Sequence, residues 1–503
     1  MADRLTMYFT SDTHGYVFPT NFISPAQSAM GLLSMRFPKD GNTLVIDGGD
    51  TLQGSPLTYY CYSNHLPMPV AAVMNDLAYD YVTLGNHDFN YGYDTMRAHL
   101  KGLDAHCLCA NVQDTTNTMP IDSYTIHVLE NGLRVGIIGA VTDWVNRWEK
   151  PENLGALMVK DPYPAIAKAV EALRDKVDVL IGIYHGGFEK ELTTGRVLSS
   201  TGENIACKLC EDFPFDILLT GHQHMTVANT VYHGTHVVQT PSNATAYARV
   251  VMDERGSISS ALIVPDITPS MKPWQSKLYA ELQQWLDAPI GHLTHALRPQ
   301  DKLTMALQGT AIARLFNMVQ MEATGAQVSC TSLGNEVRGF DKVVTVRDVV
   351  ASYVYANTLV VLRVTGKQLK AALEQCARYF EVDPEGKISI ASAFRLPKEA
   401  HYNYDYFSGI RYTMDLRKPM GERVTNVTYR GEPVGEAESL TLVMNHYRAT
   451  GAGDFDVYMA CDRVAENLTE VSELLLNYLR GHDCIDVPQA NDYVVILPDG
   501  TRA

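Results

Sequence analysis

Six short apolar runs in the first half of the chain constrain the fold most. They occupy residues 5–10, 43–46, 81–84, 134–141, 177–184 and 216–220, and five of them close on Gly, Asp, His or Asn. Continuous β-branched runs suit strands buried on both faces, so helices or a second sheet must cover them. The stretches between them can form helices, as at 162–174, where apolar residues recur near helical spacing. The pattern predicts an α/β domain whose polar groups collect where strands end.

At 503 residues the chain is too long for one hydrophobic core, so two domains are expected. The texture changes at Pro265-Asp266-Ile267-Thr268-Pro269. An amphipathic stretch follows over 273–287, with Trp274, Leu278, Leu282 and Trp285 at helical spacing, and Pro289 stops it. The reading is a first domain over 1–268, a connecting helix over 269–290 that acts as a hinge, and a second domain over 291–503. That second domain should carry helices over 306–321 and 366–380, then Gly- and Pro-marked hairpins. A formal net charge of −16 argues against a nucleic-acid polymer as partner, because backbone binding needs a basic face. It leaves small anionic substrates open, since a local metal charge can outweigh the global field. No apolar window approaches a membrane span and residues 1–10 lack a signal-type apolar core, so no membrane association and a cytoplasmic protein are expected. The nine cysteines, including Cys207 and Cys210 in a lone C-x-x-C, read as reduced structural thiols rather than a zinc ribbon.

The closing residues form a ligand set: Asp12 and His14; Asp50 after Gly48-Gly49; Asn86, His87 and Asp88 after Gly85; His185 before Gly186-Gly187; His222 and His224 after Gly221. In open α/β sheets functional groups gather at the carboxyl ends of strands. Carboxylate, imidazole and one amide oxygen, without thiolate, suit borderline divalent ions such as Mn, Zn, Fe or Co. Two such ions need a bridging carboxylate, and Asp50 is the natural candidate.

D-x-H, G-G-D, G-N-H-D, H-G-G and G-H-x-H in this order resemble the calcineurin-like metallophosphatases over roughly residues 5–260. The resemblance implies a four-layer αββα sandwich with a dinuclear centre. It assigns Asp12, His14 and His224 to the first metal, Asp50 to the bridge, and Asn86, His185 and His222 to the second. His87 matches the histidine that steadies the transition state and protonates the leaving group, a role that needs an imidazole near the working pH. Asp88 is read as a carboxylate that orients such an imidazole.

From about Gly291 onward the chain resembles the smaller α/β C-terminal domain of the 5'-nucleotidase family, most specifically in Tyr402-Asn403-Tyr404-Asp405-Tyr406-Phe407-Ser408-Gly409 and Asn445-His446-Tyr447-Arg448-Ala449-Thr450-Gly451. In that family two aromatic rings sandwich a nucleobase. Tyr447 matches one ring, and either Tyr404 or Phe407 the other. Arg338 falls near the position of substrate-binding arginines, whose fork suits phosphate or ribose oxygens. Typical 5'-nucleotidases carry an acid where this chain has Asn90. The form Phe89-Asn90-Tyr91-Gly92 is similar to the 2',3'-cyclic-nucleotide 2'-phosphodiesterase/3'-nucleotidase branch. The expected activity is therefore metal-dependent hydrolysis of 2',3'-cyclic nucleotides and 3'-nucleotides. The rivals are a 5'-nucleotidase or nucleotide-sugar hydrolase with the same centre, a phosphatase of another ester, and an inactive nucleotide-binding protein.

Overall fold

In the strand Leu5–Thr10 the residues Leu5, Met7 and Phe9 point one way into an apolar core, while Tyr8 points the other way. This is the two-residue period of a strand covered on both sides. In the computed structural model of the protein, which describes every residue except 1–3, 24–25, 199–201, 267–270, 356, 396–398, 468 and 490, that strand lies inside a seven-stranded sheet. Its neighbours are Thr43–Asp47 and then Tyr81–Val82, both parallel, on one side, and on the other Tyr247–Met252, antiparallel to it, which in turn pairs antiparallel with Ile258–Ile263. A six-stranded sheet runs Val227–Tyr232, Thr235–Gln239, Ile217–Thr220, Val179–His185, Arg134–Val141, Tyr124–Val128. Ile46, Leu44 and Phe9 of the first sheet share a single core with Ile137, Ile181, Ile183 and Leu219 of the second, so the two sheets face each other.

The far side of the six-stranded sheet buries Ile138, Leu180, Tyr184 and Leu218 against Ile166, Val170 and Leu173 of the helix Pro162–Leu173 and against Cys207 and Cys210 of the helix Ala206–Asp212. The first of these helices starts where Asp161 accepts the Tyr163 N–H at 2.9 Å, an N-cap that satisfies an otherwise orphaned donor. On the far side of the seven-stranded sheet the Tyr8 ring packs with Phe37 and Tyr247. All nine cysteines are free, and seven are buried.

The chain divides into two compact units, Met1–Leu282 and Gln283–Ala503. The expected boundary at 268–269 lies outside the described residues. The helix expected over 273–287 forms as Pro273–Leu286 and runs across the division at 282; Leu282 and Leu286 are buried, and Trp274 is exposed.

In the second unit a five-stranded mixed sheet runs Asp405–Ser408, Val328–Ser332, Ser439–Asn445, Leu359–Thr365, Asp462–Asn467, and a four-stranded sheet is built on Ile410–Asp415. The helix expected over 306–321 is instead two, Lys302–Gln308 and Ala311–Thr324. Gly309, at φ 74°, leaves helical space, and Thr310 starts a new helix by accepting the Ile312 N–H. The helix expected over 366–380 forms as Gly366–Ala377, opened by a Thr365/Gln368 capping box.

Candidate metal centre

Because the central strands of each sheet run parallel, their carboxyl ends fall on one edge. Asp12 lies two residues past Thr10, Asp50 three past Asp47, His185 closes its own strand, and His222 and His224 follow Thr220. Asn86 and His87 open a single 3₁₀ turn, Asn86–Phe89. Asp12, His14, Asp50, His222 and His224 all adopt left-handed φ, between 49° and 71°. That conformation is costly for residues with a Cβ, and its concentration in five of these positions marks a functional site. Gly49, at φ 91°, lets the second loop touch the third: a Cβ there would sit 2.3 Å from the Gly85 nitrogen.

The imidazoles are oriented by backbone carbonyls. His14 Nδ1 donates to the Gln53 carbonyl at 2.8 Å and His185 Nδ1 to the Gly48 carbonyl at 2.7 Å. Each therefore presents Nε2 inward, the usual way in which a ligating histidine is fixed by its other nitrogen. His14 Nε2 comes within 3.1 Å of His224 Nε2, and His224 Nε2 within 3.4 Å of Asp12 Oδ1. Asp50 Oδ1 accepts the His87 backbone N–H at 2.7 Å. Its other oxygen, Oδ2, and His185 Nε2 lie 3.2 Å apart, and both are buried without a hydrogen-bond partner.

Burial would raise the Asp12 carboxyl, but the hydrogen bond from His224 and the charges of His185 and His224 bring it down to about 2. Burial likewise opposes ionisation of Asp50, and His185 and His87 hold it well below the usual carboxylate range. The donors of Asp12, His14 and His224, and those of Asp12, Asp50 and His185, lie within 4.8 Å of one another. Carboxylate oxygens and imidazole nitrogens that converge in this way fit a divalent cation, and the absence of thiolate fits the borderline metals.

His222 joins the two loops to the third. Its Nδ1 meets Asn86 Oδ1 at 2.8 Å and its Nε2 meets Glu203 Oε1 at 2.8 Å, while Trp148 stacks on the ring with centroids 5.4 Å apart and planes at 21°. His87 lies beside His14, ring centroids 5.2 Å apart, and its Nδ1 is 2.8 Å from Asn90 Oδ1. Asn90 Nδ2 in turn donates to Glu149 at 2.6 Å.

Asp88 requires a correction. It does not face the imidazole. It is 2% exposed and accepts the backbone N–H groups of Asp50, Thr51, Leu52 and Gly85 at 2.8–2.9 Å, with the Thr51 hydroxyl besides. Its two oxygens are consumed in stapling the second loop to the third, so it shapes the site without touching His87. Trp148, Glu149 and Glu203 have places here that no local motif signalled, because they come from segments distant in sequence.

In the second unit Tyr404 and Phe407 are each 2% exposed, which corrects their reading as stacking rings. The Tyr404 hydroxyl donates to the Ala306 carbonyl at 3.1 Å and its ring packs on Tyr379 and Tyr406, so both residues are core. Tyr447 is 46% exposed. Half-buried rings missed by the motif reading are Tyr355 and Tyr402, with centroids 6.3 Å apart. Arg338 pairs through Nε with Asp348 at 3.1 Å.

Two family models match the chain: calcineurin-like phosphoesterase over residues 5–226 and the 5'-nucleotidase C-terminal domain over residues 289–460. The chain is 33% identical to a Staphylococcus aureus protein of known structure, provisionally named a 5'-nucleotidase, with a TM-score of 0.86, and the match covers 98% of this chain and 99% of that one. It is 25% identical to the 2',3'-cyclic-nucleotide 2'-phosphodiesterase/3'-nucleotidase of Haemophilus influenzae, over 89% of this chain and 80% of that protein. It is also 25% identical to the trifunctional nucleotide phosphoesterase YfkN of Bacillus subtilis, over 99% of this chain but only 39% of that longer protein. With α/β folds matched by model in both units and a relative superposing along nearly the whole length, the chain belongs to the 5'-nucleotidase family with an N-terminal calcineurin-like phosphoesterase domain.

Proposed function

We propose that this nucleotide phosphoesterase holds two divalent ions and hydrolyses 2',3'-cyclic nucleotides and 3'-nucleotides. The observation that carries the metal reading is the Asp50 carboxylate: one oxygen is bound by the His87 N–H and the other is buried, unpartnered and aimed at His185. In this reading Asp12, His14 and His224 hold one ion, Asn86, His185 and His222 the other, and Asp50 both. Bound there, the ions supply Lewis-acid polarisation of a phosphoryl oxygen and a more acidic water.

The remaining work falls to the chain. The Asp50 backbone loop, stapled by Asp88, fixes where the phosphate sits relative to His87. Asn90 accepts from His87 Nδ1, so a doubly protonated His87 gives up its Nε2 proton to the departing ribose oxygen and is left as the neutral Nδ1–H form. Tyr447 offers a half-exposed ring on which a base can stack, worth about 1–3 kcal/mol and tolerant of base identity.

The branch assignment is supported by Asn90 in place of an acid and by the Haemophilus influenzae relative. It is tested by phosphate release from a panel of 2',3'-cyclic, 3'- and 5'-nucleotides with Mn present. Fastest turnover of the cyclic and 3' esters is expected. Preference for 5'-monophosphates or nucleotide sugars would defeat the branch and leave the metal-dependent phosphoesterase intact.

A further inference from the structure

The Asn90 amide is held on both sides, and the two holds are not equivalent. Its nitrogen meets Glu149 Oε2 at 2.6 Å and its oxygen meets His87 Nδ1 at 2.8 Å. An ionised carboxylate only accepts hydrogen bonds. Glu149 is occupied as an acceptor on its other oxygen too, by the Lys150 N–H at 2.7 Å and the Asn153 amide at 2.8 Å. The Asn153 amide also donates to the Asn90 carbonyl at 3.0 Å, which pins the backbone of the same residue. Reversing the Asn90 side chain would set its oxygen against Glu149, acceptor against acceptor. The amide therefore has one orientation, Oδ1 toward the imidazole. An amide oxygen also only accepts, so His87 Nδ1 must carry its proton.

We infer that Glu149 is a positioning residue which, through Asn90, dictates the Nδ1–H tautomer and ring orientation of His87. The inference rests on the assignment of His87 to leaving-group protonation, but the hydrogen-bond logic stands without it. The supply of Glu149 is a property of the fold. It follows directly on the one-turn helix Val145–Trp148, whose last residue, Trp148, stacks on His222. Two consecutive side chains of one loop thus orient two different histidines of the centre. In this chain an amide bonded to a distal carboxylate stands where a carboxylate in direct contact would be the simpler device. The amide transmits geometry to the imidazole while keeping a full negative charge one residue further away.

The experiment compares the full-length zinc-loaded wild type with Glu149→Gln, Glu149→Ala and the double variant Glu149→Ala/Asn90→Asp. Turnover is measured on a nucleotide ester, whose alkoxide leaving group needs a proton, and on a p-nitrophenyl ester, whose leaving group does not. Loss of orientation should lower kcat on the nucleotide about 10- to 100-fold. KM, bound metal and melting temperature should stay near the wild-type values, and the loss on the p-nitrophenyl ester should be much smaller. Asn90→Asp should restore nucleotide turnover in the Glu149→Ala background, because a carboxylate accepts from Nδ1 in either orientation.

Histidine side-chain ¹⁵N NMR gives a readout independent of turnover. At a pH where His87 is neutral, the wild type should show it as the pure Nδ1–H tautomer, and Glu149→Ala should show a mixture. Equal losses on both esters, a fall in bound metal, or an unchanged single tautomer in Glu149→Ala would overturn the inference. If the wild type cleaves no nucleotide, the functional reading fails, and the tautomer measurement still decides this one.

Discussion

Asp50 concentrates the chemistry of the site in one side chain. Its two oxygens are treated differently: one orders the His87 backbone and the other is left bare in the interior. Replacing Asp50 by Ala is expected to abolish both phosphate release and metal uptake, read by elemental analysis of the purified variant; a fully active variant would sink the dinuclear mechanism.

A second residue-scale prediction concerns Arg448. It is 2% exposed, its guanidinium faces Asp405 with Nε 2.9 Å from Oδ2, it donates to the carbonyls of Tyr402 and Ala452, and it lies over the Phe455 ring. Arg448→Met leaves Asp405 buried without its counter-charge and should cost about 3–5 kcal/mol in urea unfolding.

A third concerns His99, buried to 6% exposure with an unpartnered Nδ1 and a pKa lowered to about 4 by burial. The unfolded chain, with a histidine near 6.5, then binds the extra proton first as pH falls. The neutral-His99 contribution is fully present above about 6.5 and is lost between 6.5 and 4, on the order of 3 kcal/mol in all at ~1.4 kcal/mol per pH unit. Stability of the metal-free protein measured at pH 7 and pH 4.5 should fall less in His99→Phe than in the wild type.

At the scale of elements, the two sheets come into backbone contact where Gly139, inside the strand Arg134–Val141, faces the strand His106–Leu108. A Cβ on Gly139 would lie 1.8 Å from the Leu108 carbonyl oxygen, and the Ala110 N–H donates to the Gly139 carbonyl at 2.7 Å. Gly139→Ala must push backbone from backbone and should destabilise the protein by about 3 kcal/mol in denaturant titration. The strands themselves were legible because their apolar runs are continuous and each ends on a polar punctuation. Their limits shifted only by a residue or two, as where the run at 177–184 became the strand Val179–His185. The break in the helix expected over 306–321 was harder to see, since Gly309 within an apolar-periodic stretch is tolerated in many helices. Here the capping hydroxyl of Thr310 turned a weak point into a new start. The aromatic segment around Tyr404 misled for a related reason. Its alternation fits a binding hairpin and a buried strand equally, and burial of all four residues of Asp405–Ser408 decided for the strand.

For the whole molecule, a metal that binds only the folded state adds RT ln(1 + [L]/Kd), about 2.7 kcal/mol at a hundredfold excess over Kd. All seven proposed ligands lie in the unit Met1–Leu282. Calorimetry of the full chain with and without Mn should therefore raise the melting of that unit and leave that of Gln283–Ala503 unchanged; equal shifts in both would place the ions elsewhere.

What the sequence determined by itself is the class of fold and the chemical kind of the site. Strand period, glycine turns and ligand types are local properties, carried by adjacent residues wherever the chain goes. Only the tertiary structure decided how those ligands are held: which nitrogen of His14 and His185 points inward, that Asp88 staples loops while Asn90 takes His87, and that Glu149 and Glu203 stand behind two of the histidines. Hydrogen-bond partners are chosen by proximity and by donor and acceptor complementarity. Glu149 approaches Asn90 across 59 residues and Glu203 approaches His222 across 19, so neither pairing is written in any short stretch of sequence.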